Sequence, residues 1–400
     1  MRTSRIVTTA LGMLLVGVAA GPAHADSVRS QQWYLTAMGA EEIWQISKGV
    51  GVTVAVIDSG VDASGADLQG QVLQGKDLAP ARPGDERTDY DGHGTSMAAI
   101  IAGTGKSGGG DGAFGLAPGA KILPVRMPNG LDAKNLKDDA RQFNVAAPEA
   151  IRFAADAGAR VINISLAVRE GSQQLTDAVT YALGKGALVF AGVGNNGEKG
   201  NAPQFPAATP GVVGVGAVDK NLKRTKESQY GPQVDVVAPG DKMVHACAAK
   251  SGLCESAGTS DATALASATA ALIWSKHPDW TNNQVLKVML NTASGSTTGE
   301  KRSDFIGYGA LRPLRALTTP GDPGPADQRP IPDLEQAGGS SSAPSSPATA
   351  PAPRASGAAE TASDADSGSN SGLYIGIGVA AALLVGGGVA FAVVRGRRSV

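Results

Sequence analysis

This 400-residue chain lacks an excess of charge of either sign, because its formal net charge at pH 7 is −1. Its lysines and arginines form no cluster except at the extreme C-terminus. Proteins that bind nucleic acid neutralise phosphates with clustered basic side chains. The composition therefore argues against nucleic acid as a partner.

Large apolar side chains are scarce between residues 319 and 372, where Pro, Ala, Ser and Gly dominate. A segment of this composition cannot bury enough apolar surface to offset the entropy lost on ordering it. We therefore predict a disordered linker at 319–372. As a flexible chain its ends would lie on the order of 40 Å apart.

The N-terminal residues have the features of a secretory signal. Arg2 and Arg5 precede an apolar run that ends at Gly21, and Ala-His-Ala follows at positions 23–25. This order of basic, apolar and small residues predicts a signal peptide at 1–25 and a mature chain that begins near Asp26. An uncleaved anchor is the alternative, although the apolar run is short for a membrane span.

A second apolar run lies near the C-terminus, at Leu373–Val394, and contains no charged residue. As a helix it would extend roughly 33 Å, which is enough to cross a bilayer core. The arginines of the tail at 395–400 follow it directly, and basic residues favour the cytoplasmic side. We therefore predict a single-pass protein of the cell membrane, with an extracellular body at 26–318 and a cytoplasmic C-terminus.

Cysteine is also rare, since the chain has only Cys247 and Cys254. In an exported chain these two residues would form one disulfide that closes a short loop. A metal site is the alternative, because His245 lies close by in the sequence. Three candidate ligands without a fourth do not make a tetrahedral site. We predict the disulfide, no metal and no cofactor.

Within the body, short β-branched runs alternate with helical stretches. Alternation of this kind predicts βαβ units and a three-layer α/β fold with a mostly parallel central sheet. In such sheets, sites lie at the carboxyl ends of the strands. The predicted strands are 52–57, 121–126, 159–166, 186–191, 212–218 and 234–237. The predicted helices include 93–102, a helix that ends near Asp156, 172–183, and one that starts at a capping box at 281–284.

Histidine is scarce as well: beyond the predicted signal peptide the chain has His93, His245 and His277. His93 lies between two glycines at a predicted helix start, in DGHGT, where a core histidine is not expected. A general base needs one ring nitrogen facing the nucleophile and the other held by a carboxylate. Asp58, at the end of the strand VAVID, is placed to hold it. A simple turn-forming role for Asp58 is the alternative.

Amide side chains follow two further strands, in NISLA and in GVGNNG. An asparagine at a strand end, such as Asn195, can donate a hydrogen bond to a developing oxyanion. A tight turn is the alternative, because Asn-Gly is a strong turn signal.

Ser260 lies in AGTSDATALASATAALIW, at the start of an apolar helix. A serine in this position is a favoured N-cap residue. The residues alone therefore leave two interpretations of Ser260, as a helix cap and as a nucleophile.

Four segments, in the order VAVIDSGVD, DGHGTSMAAIIAG, GVGNNG and SAGTSDATA, resemble the subtilisin-type serine proteases. Weaker matches, such as ILPVR and YGPQVDVVAPG, extend this resemblance from about residue 33 to 317. The resemblance implies that Asp58 orients His93, that His93 is general base and then acid, that Ser260 is the nucleophile, and that Asn195 donates to the oxyanion.

The resemblance also implies a substrate site. One edge would pair with an extended peptide by strand addition. The side chain before the scissile bond would occupy a pocket beside it. The residues implied are Ser165, Leu166 and Ala167 for the edge, and Gly192 with Val193 for the pocket wall.

Within this superfamily the chain is most similar to the mycosins, membrane-anchored proteases associated with type VII secretion in actinobacteria. The signal peptide, linker, span and basic tail all agree. The distance from Asp26 to Asp58 is too short for the folding prodomain of most secreted subtilases. We expect a membrane-tethered serine endopeptidase that acts on proteins or peptides, with a secretion complex as a possible partner. The alternative is a catalytically silent scaffold or peptide-binding component of such a complex.

Two residues next to Ser260 depart from the family pattern. Asp261 stands where an apolar residue is common, and Ala264 stands where proline is usual. We expect Asp261 to face away from the oxyanion enough for catalysis, yet to favour the protonated form of His93 and so delay the onset of activity to more alkaline pH.

Overall fold

The structure is a computed structural model and describes residues 27–128, 130–248, 252–295 and 301–334. The predicted signal peptide, membrane span, cytoplasmic tail and most of the predicted linker lie outside these residues. In the part of the chain that is described, no helix is both long and apolar enough to cross a membrane.

The described residues contain ten α-helices, a short 3-10 helix at Gly130–Asp132 and nine strands. The α-helices are α1 (Val28–Gln31), α2 (Trp33–Met38), α3 (Ala40–Ile46), α4 (His93–Ala102), α5 (Ser107–Gly110), α6 (Leu136–Asp156), α7 (Gln173–Gly184), α8 (Thr259–Lys276), α9 (Asn282–Thr292) and α10 (Pro313–Thr318). The strands are β1 (Thr53–Asp58), β2 (Lys76–Asp77), β3 (Lys121–Arg126), β4 (Val161–Ile164), β5 (Leu188–Gly192), β6 (Val213–Val218), β7 (Val236–Pro239), β8 (Met243–Ala246) and β9 (Leu253–Ser256).

Seven strands form one parallel sheet in the order β2-β3-β1-β4-β5-β6-β7. The chain builds outward from β1 to β3 and β2 on one side, and from β4 to β7 on the other. The order therefore reverses between β1 and β4, where ligands bind in open parallel sheets. Asp58 ends β1, and Ser165 directly follows β4.

Helices cover both faces of this sheet and enclose two apolar cores. On one face α4 and α8 pack together with α9 and the N-terminal helices. On the other face α6 and α7 pack against each other and against the central strands. The predicted α/β architecture with a mostly parallel sheet is confirmed.

The residues before β1 pack along the body as a structural part of it. Tyr34, Leu35 and Ile43 are fully buried. The buried Gln32 donates from Nε2 to the carbonyl of Phe114 at 2.8 Å, and its Oε1 accepts from the N–H of the same residue at 3.1 Å. Gln32 Nε2 and the Tyr34 hydroxyl also donate to the carbonyl of Val244 in β8, at 3.1 and 2.9 Å, so this segment is bonded both to the loop at Phe114 and to the β8–β9 hairpin.

The β8–β9 hairpin is antiparallel and was not predicted. It carries the Cys247–Cys254 disulfide, which confirms the predicted pairing. His245 lies in β8 and pairs in register with Cys254, yet it contacts other partners, described below.

Residues 319–334 differ from the prediction of a linker that is disordered from Thr319 onward. Ile331 is buried, and the N–H of Gly211 donates to Asp333 Oδ2 at 2.6 Å. Gln284 in α9 donates to the carbonyl of Gly324 at 3.0 Å. These residues lack apolar runs, but single anchors and backbone hydrogen bonds hold them on the body.

Candidate active site

Asp58 and His93 are in contact at the C-terminal end of β1. Asp58 is fully buried, and His93 is the first residue of α4. His93 Nδ1 lies 2.7 Å from Asp58 Oδ1, and the ring nitrogen is the donor because a carboxylate only accepts. The Ser59 N–H donates to the same oxygen at 2.8 Å. The pair leaves His93 Nε2 as the nitrogen that can act as a base.

The loop that leads into α4 is organised by Asp89. Its Oδ1 accepts from Ser59 Oγ and from the Gly92 N–H, both at 2.8 Å. Its Oδ2 accepts from the N–H of Thr95 at 2.8 Å and from the Thr95 hydroxyl at 2.6 Å. One carboxylate thus caps α4 and ties the helix start to the residue after Asp58.

Gly94 allows α4 to approach β1 closely enough for this contact. A Cβ added at Gly94 would lie 2.1 Å from the carbonyl oxygen of Gly60, far inside van der Waals contact. Its N–H also donates to Ser59 Oγ at 2.9 Å. A glycine next to His93 is therefore a packing requirement of the site.

Ser260 is the second residue of α8, and the N-cap of that helix is Gly258. The cap interpretation of Ser260 is therefore wrong. Ser260 Oγ donates to the carbonyl of Ser165 at 3.3 Å, and Ser165 Oγ donates back to the carbonyl of Ser260 at 3.3 Å. Among the described residues, no hydrogen bond joins Ser260 Oγ to His93. Such bonds are often long or misaligned until a substrate binds.

Asn195 follows β5 and is held by Thr259. The Thr259 N–H donates to Asn195 Oδ1 at 2.9 Å, and the Thr259 hydroxyl lies 3.2 Å from the same oxygen. Since Oδ1 is the acceptor in these contacts, Nδ2 is the donor left to face the cleft. Asn195 is exposed, so its amide is accessible to a bound peptide.

Charge around the imidazole favours its protonated form. The Asp58 carboxylate raises the pKa of His93 to about 9, while burial acts in the opposite direction and Asp91 adds a smaller increase. A neutral imidazole is needed for general-base work. The site is therefore suited to alkaline conditions.

The predicted substrate edge lies beside Ser260. Residues 165–167 continue from β4 outside the sheet ladder, and Ala167 is exposed. Beyond them, Val168 pairs with Phe205 through two backbone hydrogen bonds of 2.9 and 2.8 Å. Gly192 is buried against Thr259. The substrate roles of these residues stay predictions.

Asp261 is buried, only 1% exposed, although it is the residue directly after Ser260. Its Oδ1 lies 2.5 Å from Ser256 Oγ. Its side chain is therefore engaged with the β8–β9 hairpin rather than with solvent.

Sequence reasoning missed Ser59, Asp89 and Thr259 as parts of the site. Ser59 and Thr259 donate to the predicted residues Asp58 and Asn195, whereas Asp89 holds the start of α4. The positions of Ser59 and Thr259, next to Asp58 and Ser260, were the only local signal. Among the described residues, no group of three or more His, Cys, Asp or Glu side chains is arranged to hold a metal ion.

Comparison with known proteins identifies the family of this chain. The profile of the Subtilase family matches residues 49–309, a span that includes Asp58, His93, Asn195 and Ser260. The chain belongs to the subtilase family. It is a subtilisin-like serine endopeptidase by class, and it is related to the mycosins of type VII secretion.

Three relatives illustrate the range of similarity. The chain is 35% identical over 252 residues to alkaline elastase YaB of a Bacillus species, covering 62% of each protein. It is 35% identical to subtilisin BL of Lederbergia lenta, covering 62% of this chain and 86% of that one. It is 32% identical to mycosin-1 of Mycobacterium tuberculosis over 354 residues, covering 74% of each.

Solved structures give the same relationship. The MycP3 protease from the type VII (ESX-3) secretion system is 34% identical with a TM-score of 0.61, covering 72% of this chain and 88% of that chain. MycP1 from the ESX-1 system is 28% identical with a TM-score of 0.64, covering 74% and 88%. A chain of the periplasmic assembly of the ESX-5 inner membrane complex is 27% identical with a TM-score of 0.64, covering 83% and 92%.

Proposed function

We propose that this chain is an exported, membrane-tethered serine endopeptidase that uses Asp58, His93 and Ser260 as its triad. The observation that carries the proposal is the 2.7 Å bond from His93 Nδ1 to buried Asp58. It fixes the ring at the C-terminal end of β1, and Ser260 lies in the first turn of α8. Asn195, held in orientation by Thr259, supports the assignment of an oxyanion donor.

The proposed reaction follows from these positions. His93 Nε2 takes the proton of Ser260 Oγ as the oxygen attacks the peptide carbonyl, and Asp58 stabilises the imidazolium that forms. Asn195 Nδ2 donates to the oxyanion that develops. His93 then gives its proton to the leaving amine, and a water molecule releases the acyl group by the same steps in reverse.

The proposed substrate is an extended peptide segment of a protein. Residues 165–167 offer backbone groups next to Ser260, and strand addition at such an edge supplies affinity with little dependence on sequence. Gly192, which packs against Thr259, is the proposed wall of the adjoining pocket.

The proposed location is the cell membrane, with the body outside. This proposal rests on the signal-like residues 1–25 and the apolar run at 373–394. The similarity to MycP1 and MycP3, and to a chain of the ESX-5 inner membrane complex, supports a link to type VII secretion and a partner within such a complex.

A silent scaffold is the second candidate, and one observation favours it. Ser260 Oγ is engaged with the Ser165 carbonyl at 3.3 Å and not with His93. If that arrangement persisted with substrate bound, the serine would not be activated.

Active-site labelling separates the two functions. The full-length protein, purified in detergent, is treated with a fluorophosphonate, and peptide hydrolysis is measured in parallel. We expect Ser260 to be labelled and Ser260→Ala to lose both labelling and activity, with a kcat reduced about 10⁶-fold as in the family member subtilisin. A wild-type protein that folds but neither labels nor cleaves would establish the scaffold instead.

A further inference from the structure

Behind the nucleophile, three polar side chains form a chain of close contacts. Asp261 Oδ1 lies 2.5 Å from Ser256 Oγ, and Ser256 Oγ lies 2.9 Å from His245 Nε2. Asp261 and His245 are each 1% exposed. Asp261 belongs to α8, and the other two belong to the β8–β9 hairpin.

The other ring nitrogen of His245, Nδ1, has a partner that fixes its protonation. His245 Nδ1 lies 3.0 Å from the carbonyl oxygen of Ala246, and a carbonyl only accepts. Nδ1 therefore carries a hydrogen. Whether Nε2 also carries one depends on Ser256 and Asp261.

Two arrangements satisfy both remaining contacts. In one, protonated Asp261 donates to Ser256 Oγ, which donates to a neutral His245 Nε2. In the other, a protonated Nε2 donates to Ser256 Oγ, which donates to an ionised Asp261. The proton moves between them along Ser256: the Asp261 O–H bond and the Ser256 O–H bond break as new ones form at Ser256 and His245. Both arrangements hold one shared proton and have no net charge.

Other proton counts fit the site less well. Without the shared proton, the single Ser256 hydrogen can serve only Asp261 or His245, and the other buried acceptor is left unpaired. The group then also holds a buried negative charge next to Ser260. With a second proton, Asp261 and His245 both donate to Ser256, and a buried positive charge results.

We propose that Asp261, Ser256 and His245 form a relay that holds one proton and keeps the charge behind Ser260 at zero while the enzyme works. In this relay Asp261 is a positioning residue. It affects the reaction through the charge state of the relay and not through contact with the substrate. This inference rests on the proposed function for its kinetic consequence only.

The surroundings favour the arrangement with neutral side chains. Burial raises the pKa of Asp261 and lowers the pKa of His245. The titratable groups that face Asp261 from other elements are His245 in β8, His93 in α4 and Tyr34 in α2. Burial raises the pKa of Tyr34 far above its usual value, so this group stays neutral.

The relay explains how a carboxyl group is tolerated beside a developing oxyanion. An ionised Asp261 would raise the pKa of His93, as Asp91 does, and would repel the negative charge of the transition state. A relay with one proton does neither, so it replaces the expectation from the sequence that Asp261 delays the onset of activity. When the proton leaves at high pH, the negative charge appears and activity falls.

A spectroscopic experiment counts the protons directly on the full-length protein. The infrared difference spectrum between wild type and Asp261→Asn reports whether Asp261 is a carboxylic acid, and ¹⁵N NMR reports the charge of His245. We expect an acid band and a neutral imidazole at about pH 9, where the pKa of His93 lies. A carboxylate band together with a cationic imidazole is the second one-proton arrangement, and it also supports the proposal. A carboxylate with a neutral imidazole, or an acid with a cationic imidazole, overturns the proposal.

The pH profile of kcat/KM tests the consequence for catalysis. We expect the acidic limbs of wild type and Asp261→Asn to coincide, and the alkaline limb to be lost in the variant. Asp91→Asn is the positive control, because it removes a charge that raises the pKa of His93 and should shift the acidic limb downward. Asp279→Asn, exposed beyond the far end of α8, makes the same chemical change away from the site and should shift neither limb.

The outcomes separate the relay from the proposed function. An acidic limb that moves downward in Asp261→Asn shows an ionised Asp261 and overturns the relay, and an alkaline limb that is retained in the variant overturns its pH response. A protein that fails to react with fluorophosphonate contradicts the proposed function. The spectroscopic proton count still decides the relay in that case, because it needs no activity.

Discussion

Thr259 anchors Asn195 twice, with its N–H 2.9 Å and its hydroxyl 3.2 Å from the same amide oxygen. The Thr259 hydroxyl also accepts from the Gly194 N–H at 3.2 Å. The residue before the proposed nucleophile therefore sets the direction of the proposed oxyanion donor.

Replacing Thr259 with valine should keep the shape of the site and weaken this anchor. The N–H remains, so we expect kcat to fall about tenfold, or ~1.4 kcal/mol in barrier, with little change in KM. Asn195→Ala should cost more, about 10²–10³-fold in kcat, the loss measured for one oxyanion donor in the family member subtilisin.

Thr263→Val is the matched control for this prediction. Its hydroxyl is buried one turn further along α8 and donates to the carbonyl of Thr259 at 2.7 Å. We expect a change in stability without a change in kcat. An unchanged kcat in Thr259→Val would contradict the anchoring role.

The pKa of His93 predicts an alkaline enzyme. With a pKa of about 9, set mainly by Asp58, only about one imidazole in a hundred is neutral at pH 7. We expect kcat/KM to rise through about pH 9, measured with a neutral peptide substrate. Asp91→Asn keeps the acceptor for the His93 N–H, removes a charge and should shift this rise to lower pH. A rise centred near pH 6.5 would contradict the strong effect of Asp58.

The same pair contributes to stability with a definite sign. Because its pKa is raised on folding, protonated His93 stabilises the fold fully below about pH 6.5. This contribution is lost as the pH rises through about 9. The urea unfolding free energy of wild type should therefore fall over that window relative to His93→Gln.

The segment at 319–334 should contribute to the stability of the body. Ile331 is 5% exposed, and replacing a buried isoleucine with alanine costs about 2–5 kcal/mol. We expect Ile331→Ala to lower the unfolding free energy by about 2 kcal/mol in urea titrations. The exposed Gln328→Ala, in the same segment, is the control and should have no effect. Equal values for both variants would show that the segment is not held on the body.

The proposed membrane topology predicts how the body is released. A protease added to intact cells should shed it by cutting within 335–372, because 319–334 pack on the body through Ile331 and Asp333. The N-terminal and C-terminal residues of the shed fragment, read by mass spectrometry, check this. A body that is protected until the cells are lysed would contradict the extracellular location.

Much of the fold could be predicted from the sequence, because long β-branched runs and capping signals are local. The strand Lys121–Arg126 and the helix His93–Ala102 have the predicted bounds. The two-residue β2 and the hairpin of β8 and β9 were missed, because strands this short carry little periodic signal.

Site residues at strand ends could be predicted, because the signal for a strand and the residue after it is local. The residues that hold them in position by hydrogen bonds could not be predicted. Asp58 and His93 are brought together as predicted. The roles of Asp89 and Ser256 depend on hydrogen bonds between different elements of the folded chain, and the sequence carries no mark of them. The sequence places Asp261 next to Ser260 at a helix start, and only the packing shows that it is buried.

The reciprocal bonds between Ser165 and Ser260 join residues 95 positions apart. Asp58 comes from still earlier in the chain, so no locally folded fragment can assemble the site. A nascent or partly folded chain lacks the complete site, because Ser260 joins the Asp58–His93 pair only when α8 docks on the sheet. The ability to cleave would thus depend on the folded body, which protects the chain, and whatever surrounds it, during synthesis.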